Sequence, residues 1–154
     1  MTEPAIPEGF FPLHLGDWGF IPANGPLYGK REGTFFLLGF RVEERHCNPA
    51  RICHGGMLMT CADMQLPFGI RLQARSDPGF LPTVSLSADF MAPAPLGSWV
   101  QGRTDVLKTT RNLAFAQCLL TADGEPVLRA SGIFKVASAK GDIAPLDRVL
   151  GDNA

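Results

Sequence analysis

The chain has 154 residues, the size of one ordinary domain and too few for two. Its 14 basic and 15 acidic residues leave a net charge of −1, so no basic excess points to nucleic acid or to an anionic membrane surface. With 45% hydrophobic and 19% charged residues, it can bury a core, which argues against global disorder.

Residues 1–24 are rich in proline, glycine and aromatic residues, among them Phe10, Phe11, Pro12, Trp18 and Phe20. They read as an irregular lead packed on the domain, with a short helix around Phe11–Leu15. Met1-Thr2-Glu3-Pro4 has no basic start and Glu8 interrupts the apolar residues after it, so no secretory leader is read and a cytoplasmic location is expected. Two strands come next, over Leu27–Arg31 and Thr34–Val42, with Glu32-Gly33 as hairpin turn. Residues 43–54 form a loop in which Asn48-Pro49 initiates a turn.

From Gly55 to about Ala74 the period changes to that of a helix, with apolar residues at 58, 62, 66 and at 59, 66, 70. Pro67 is expected to kink or divide it near Leu66, and Ser76-Asp77-Pro78-Gly79 ends it. Strict alternation then sets Val84, Leu86, Ala88 and Phe90 on one face of a strand. Further strands cover 98–109, 113–121 and 127–137, the last two joined at Asp123-Gly124. Beyond Ser138 the chain is polar, with one helical turn over Leu146–Leu150. The expected division is therefore an N-terminal lead (1–24), one domain (25–138) and a tail (139–154).

The order β-β-α-β-β-β-β gives an α+β domain with an antiparallel sheet. One helix covers only one face of a sheet, so a curved sheet wrapped round a central helix is the compact solution. Its bare edges favour pairing with a second chain. No uncharged stretch approaches the ~20 residues of a membrane span; Asp63, for instance, separates 52–62 from 64–70. The four cysteines read as reduced thiols, and the His46-Cys47 and Cys53-His54 pairs fit no zinc spacing, so no metal is expected.

Chemistry concentrates between residues 48 and 63. Gly55-Gly56 stands at the helix start, where N–H groups are unpaired at the positive end of the dipole and no Cβ blocks a ligand. A carbonyl oxygen gaining negative charge would be stabilised there; the alternative is tight packing of the helix under the sheet. Asp63, seven residues beyond Gly56, lies on the same face with Met59, Thr60 and Leu66. A carboxylate on an apolar stripe is either functional or held by Thr60, a loop amide or Arg71. Asn48 fits local backbone capping or substrate contact. His54 fits proton transfer or loop packing. Adjacent side chains diverge, so Cys53-His54 is no catalytic dyad, and no nucleophile elbow, phosphate loop or dinucleotide fingerprint occurs.

The run Asn48-Pro49…His54-Gly55-Gly56…Asp63 resembles the signature of hotdog-fold acyl-CoA thioesterases, in the PaaI-like branch that includes the thioesterase superfamily member 2 type. Leu81–Leu86, Phe90–Ala94, Leu107–Thr109, Leu113–Phe115 and Asp123-Gly124 extend the likeness, over roughly Gly25 to Val136. The resemblance implies a hotdog fold, assembled as a homodimer or homotetramer with the active site at the dimer interface. It implies an acyl-CoA substrate, aryl or fatty, cleaved without metal or redox cofactor. The Gly55 N–H would polarise the thioester carbonyl with Asn48 nearby. Asp63 of a partner subunit would act as general base or as nucleophile, Thr83 would help to place water, and His54 would be mainly a positioner. Gly56 would face the substrate, and Lys108 and Arg111, with Arg51, are candidates for the coenzyme A phosphates. Arg51 departs from the family, which often has glycine near that position. Met57, Met59 and Met64 fit either a soft acyl pocket or core filling, and Phe10, Phe11, Trp18 and Phe20 either roof that pocket or pack the lead. The alternative function is a non-catalytic acyl-CoA-binding hotdog module; a hydratase lacks a suitable Asp/His pair.

Overall fold

The computed structural model describes residues 4–136 and 144–150. In chain order these form β1 (Phe11–Pro12), α1 (Phe20–Asn24), β2 (Tyr28–Glu32), β3 (Phe35–Arg41), a 3-10 turn (Glu44–His46), α2 (Gly55–Gln73), β4 (Thr83–Phe90), β5 (Trp99–Thr109), β6 (Leu113–Ala122), β7 (Glu125–Lys135) and α3 (Leu146–Leu150). The strands make one seven-stranded antiparallel sheet in the order β1-β2-β3-β5-β6-β7-β4. It curves round α2, which packs against β3, β4, β5, β6 and β7. This is the hotdog arrangement expected from the sequence.

The two-residue alternation of β6 and β7 explains which face meets the helix. Ala114, Ala116, Cys118 and Leu120 of β6 are buried, as are Leu128, Ala130 and Phe134 of β7. On α2 the buried residues include Leu58, Cys61, Ala62, Leu66 and Ile70. Gly69 permits the closest approach, since a Cβ there would collide with the Thr104 side chain on β5.

Two expectations are revised. The lead forms no helix at Phe11–Leu15; Phe11 and Pro12 instead pair with Gly29 and Tyr28 at the sheet edge, and the helical turn lies at Phe20–Asn24. Exposed backbone at that edge offered ladder partners that local sequence does not reveal. Of the two outcomes open at Pro67, a kink or a division, division does not occur: α2 runs unbroken from Gly55 to Gln73. Proline removes one N–H, leaving the Asp63 carbonyl without its helix donor. Burial of Leu66, Phe68 and Ile70 around it outweighs that local cost of roughly 3 kcal/mol. Val84 and Phe90, on the apolar stripe of β4, are 59% and 55% exposed, because β4 is the sheet's outer edge. The polar stretch from Ser138 lies largely outside the described residues, whereas α3 forms at Leu146–Leu150 as expected.

One buried polar side chain organises the centre. β3 pairs with β5 only over Gly39–Arg41. Gln65 of α2 serves the backbone beyond that point. Its Oε1 accepts from the Leu38 N–H at 2.7 Å, and its Nε2 donates to the Phe36 carbonyl at 2.9 Å and to Thr104 Oγ1 at 2.9 Å. Thr104 Oγ1 in turn donates to the Gln65 carbonyl at 3.0 Å. The helix is thereby fixed in height and rotation against the sheet.

Candidate active site

The signature residues fall into two groups at different levels of α2. The first surrounds its N-terminus. His54 is the N-cap, and its Nδ1 accepts the Gly56 N–H at 2.8 Å. That bond places the ring proton of neutral His54 on Nε2. The His54 carbonyl accepts the Met57 and Leu58 N–H groups. Among the described residues no acceptor meets the Gly55 N–H, so one donor of the first turn stays open. A Cβ on Gly55 would lie 3.1 Å from the Phe90 ring, so the end of β4 flanks this amide.

Asn48 is part of the loop leading into the helix. Its Oδ1 accepts the Ala50 N–H at 3.0 Å, the local capping role, and its backbone N–H donates to the Ile52 carbonyl at 2.9 Å. Arg51 has φ 60°, a left-handed conformation that glycine adopts without strain, so this loop keeps a glycine-like backbone without the glycine. Its guanidinium lies 3.7 Å from Glu44 at the surface.

The second group lies further along α2. Asp63 Oδ1 accepts the Thr83 hydroxyl at 2.7 Å. None of the partners expected from sequence holds it: Thr60 donates to the Gly56 carbonyl, and Arg71 pairs with Asp77. Asp63 and Thr83 line a cavity of about 700 Å³, together with Met64, Pro67, Phe68, Phe80 and Leu81. The lead closes one side of it, through His14, Leu15, Gly16 and Ile21. Of the two readings open for the lead's aromatic residues, packing holds for Phe10, edge-on against Trp99, and for Phe11, on the core, while Trp18 and Phe20 are largely exposed; none of the four lines the cavity. Of the three methionines on α2, Met57 is core, Met59 and Met64 pack on the core, and Met64 also lines the cavity.

Gly55 and Asp63 are eight residues apart, about 12 Å of helix rise. One chain therefore cannot present both to a single carbonyl. Lys108 and Arg111 do not join the Asp63–Thr83 group. The row Thr109, Ala114, Phe134, Thr83 crosses three strand spacings from the β5–β6 hairpin to Thr83, about 14 Å.

Burial shapes the remaining titratable groups. It pushes the Cys53 thiol up to about 12, so at neutral pH the resting group beside His54 is the protonated thiol. Burial lowers His46 from its ordinary value. Its Nδ1 accepts the Glu43 N–H at 3.0 Å and its Nε2 donates to the Asn24 carbonyl at 2.9 Å, so both nitrogens are used internally. Among the described residues no three metal-ligating side chains converge. Sequence reasoning missed the bidentate Arg71–Asp77 pair at 2.7–2.8 Å, which also binds the Ala144 carbonyl and the Leu146 N–H and so ties α3 to α2.

A family model described as "Thioesterase superfamily" matches residues 50–128, a span that includes Gly55, Asp63 and Thr83 but not Asn48. A candidate esterase of Pseudomonas aeruginosa is 34% identical over 130 residues, covering 84% of this chain and 96% of that protein. Zebra fish thioesterase superfamily member 2 superposes with a TM-score of 0.64 at 27% identity, covering 72% of this chain and 81% of that one. A point mutant of the phenylacetic acid degradation protein PaaI of Thermus thermophilus gives 0.63 at 21% identity, covering 74% and 95%. A thioesterase-fold protein of Streptococcus pneumoniae, solved with coenzyme A, gives 0.57 at 19% identity, covering 68% and 82%.

Proposed function

This chain belongs to the thioesterase superfamily, and from that premise we propose that it hydrolyses an acyl-coenzyme A thioester, aryl or fatty, in sites shared by two copies of itself. The carrying observation is the geometry of β4. Its first residue, Thr83, holds Asp63, and its last, Phe90, flanks Gly55. Among the described strands, β4 is an edge with one side unpaired. Antiparallel pairing of two such edges about a twofold axis brings the start of one strand against the end of the other. The Asp63–Thr83 pair of one copy then meets the open Gly55 amide of its partner, which removes the 12 Å obstacle within a single chain (about eight residues of helix rise). The exposed Val84, Phe90 and Met91 supply apolar surface for the junction.

In the proposed reaction the thioester oxygen accepts from the Gly55 N–H, with the positive end of the α2 dipole behind it. Asp63, oriented by the Thr83 hydroxyl, takes a proton from water as the water oxygen attacks the carbonyl carbon. The carbon–sulfur bond breaks, and the proton passes to the departing thiolate, giving the acid and free coenzyme A. The apolar cavity behind Asp63 receives the acyl group. No metal or redox cofactor takes part in this proposal.

The experiment is turnover of aryl and fatty acyl-CoA substrates, followed by released thiol. Asp63→Ala is expected to lower kcat at least about a hundredfold with the fold intact. Wild-type turnover in that variant removes Asp63 from the mechanism, and tight binding of the whole panel without thiol release makes the chain a binding module instead.

A further inference from the structure

The five-residue loop that carries Asn48 is closed by an isolated antiparallel bridge between Cys47 and Cys53. Two backbone bonds define the type of pair. The His54 N–H donates to the His46 carbonyl at 2.8 Å, and the Asn48 N–H donates to the Ile52 carbonyl at 2.9 Å. The bonds thus run between the residues on either side, and Cys47 and Cys53 form the non-hydrogen-bonded pair of the ladder. In such pairs the Cα atoms are about 4.5 Å apart and both side chains leave the same face. That separation lies within the range a disulfide spans, roughly 4.4–6.8 Å. Cys53 belongs to the core cluster and Cys47 packs against it, as side chains sharing one face must.

We propose that Cys47 and Cys53 are a modification site, closed to a reversible disulfide by low-molecular-weight disulfides. This goes beyond the thioesterase reading and does not depend on it. Both residues are free thiols here. Each makes only a long sulfur contact, Cys47 to the Glu43 carbonyl at 3.4 Å and Cys53 to the His54 carbonyl at 3.8 Å, so no strong hydrogen bond is broken when the disulfide forms. Cys47 is half-buried and Cys53 buried, which assigns the order of events. The Cys47 thiolate attacks one sulfur of the small disulfide and expels its other half as a thiol. Cys53, whose buried thiol ionises rarely, loses its proton to solvent and attacks Cys47 Sγ in the slower second step, expelling the second thiol. Two electrons and two protons pass to the oxidant, and one S–S bond forms in the protein. The resulting ring encloses Asn48 to Ile52 and ties the loop directly ahead of His54 and Gly55.

Oxidised glutathione is the probe, applied to the full chain and followed by alkylation and tryptic digestion without reduction. Cleavage after Arg45, Arg51 and Arg71 puts Cys47 on residues 46–51 and Cys53 on residues 52–71. The expected product is these two peptides joined, and separated again by dithiothreitol. Because Cys61 shares the longer peptide, Cys61→Ala is expected to keep the link and Cys53→Ser to lose it; Cys53→Ala serves if the serine variant fails to fold. A link that persists without Cys53 overturns the proposal. So does a wild-type chain in which Cys47 carries only glutathione and no peptides are joined.

Discussion

Gly55 separates catalysis from stability most cleanly. Gly55 sits in ordinary helical backbone beside a half-exposed Phe90 ring, so alanine gains helix propensity while its methyl crowds the open N–H. Gly55→Ala is expected to match or exceed the parent's Tm while losing about tenfold or more in kcat/KM, read by denaturation and thiol release side by side. A pH effect belongs to His46. Its folded pKa is lowered, so the folded state favours the neutral ring. Its contribution is full above the ordinary value of 6.5 and is lost as pH falls through the lowered folded value. Tm measured from pH 7.5 downward should fall accordingly, and His46→Gln should flatten that part of the curve. Asn48 shows where residue-level reading stops: its amide caps its own loop through Oδ1, the commoner of the two roles open from sequence.

At the level of elements, buried polar side chains hold what hydrophobic contact alone leaves free to slide. Gln65→Leu removes the partners of the Leu38 N–H and Phe36 carbonyl in the core, and is expected to cost about 3 kcal/mol in urea unfolding. Asp77 couples three segments, and its carboxyl is held down to about 2 chiefly by the Arg71 side chain. Its folded pKa lies below the ordinary 3.8, so its stabilisation is complete above that value and disappears between pH 4 and 2. Asp77→Asn should lower stability at neutral pH by about 2 kcal/mol and leave the molecule less sensitive to acid in that window. The strands and the long helix were legible because their periods, two and 3.6, are written in residues such as Ala116, Cys118 and Leu120 or Leu58, Ala62 and Leu66. The β1 edge pairing and the unbroken helix at Pro67 were not, since both depend on neighbours remote in sequence.

For the whole molecule, the proposed composite site has a consequence no single-chain mechanism shares. Asp63→Ala and Gly55→Val chains are each expected to be inactive alone. Co-expressed, they should recover roughly a quarter of parent activity, since half the dimers are mixed and each of those regains one intact site of two. Recovery near zero, with mixed dimers demonstrated by mass, means that both groups act within one chain. A proline at Ser87, mid-way along β4, should weaken pairing of the two edges, reducing dimer in sedimentation and activity together.

The sequence by itself determined the α+β class, the order of the main elements and the residues carrying the thioesterase signature, because periodicity, turn chemistry and short motifs are local properties. Only the tertiary structure decided that Thr83 holds Asp63, that Phe90 flanks Gly55, and that the two groups stand at opposite ends of one exposed strand. Those relations join residues 20 and 35 positions apart, and only the curvature of the sheet round the helix sets them.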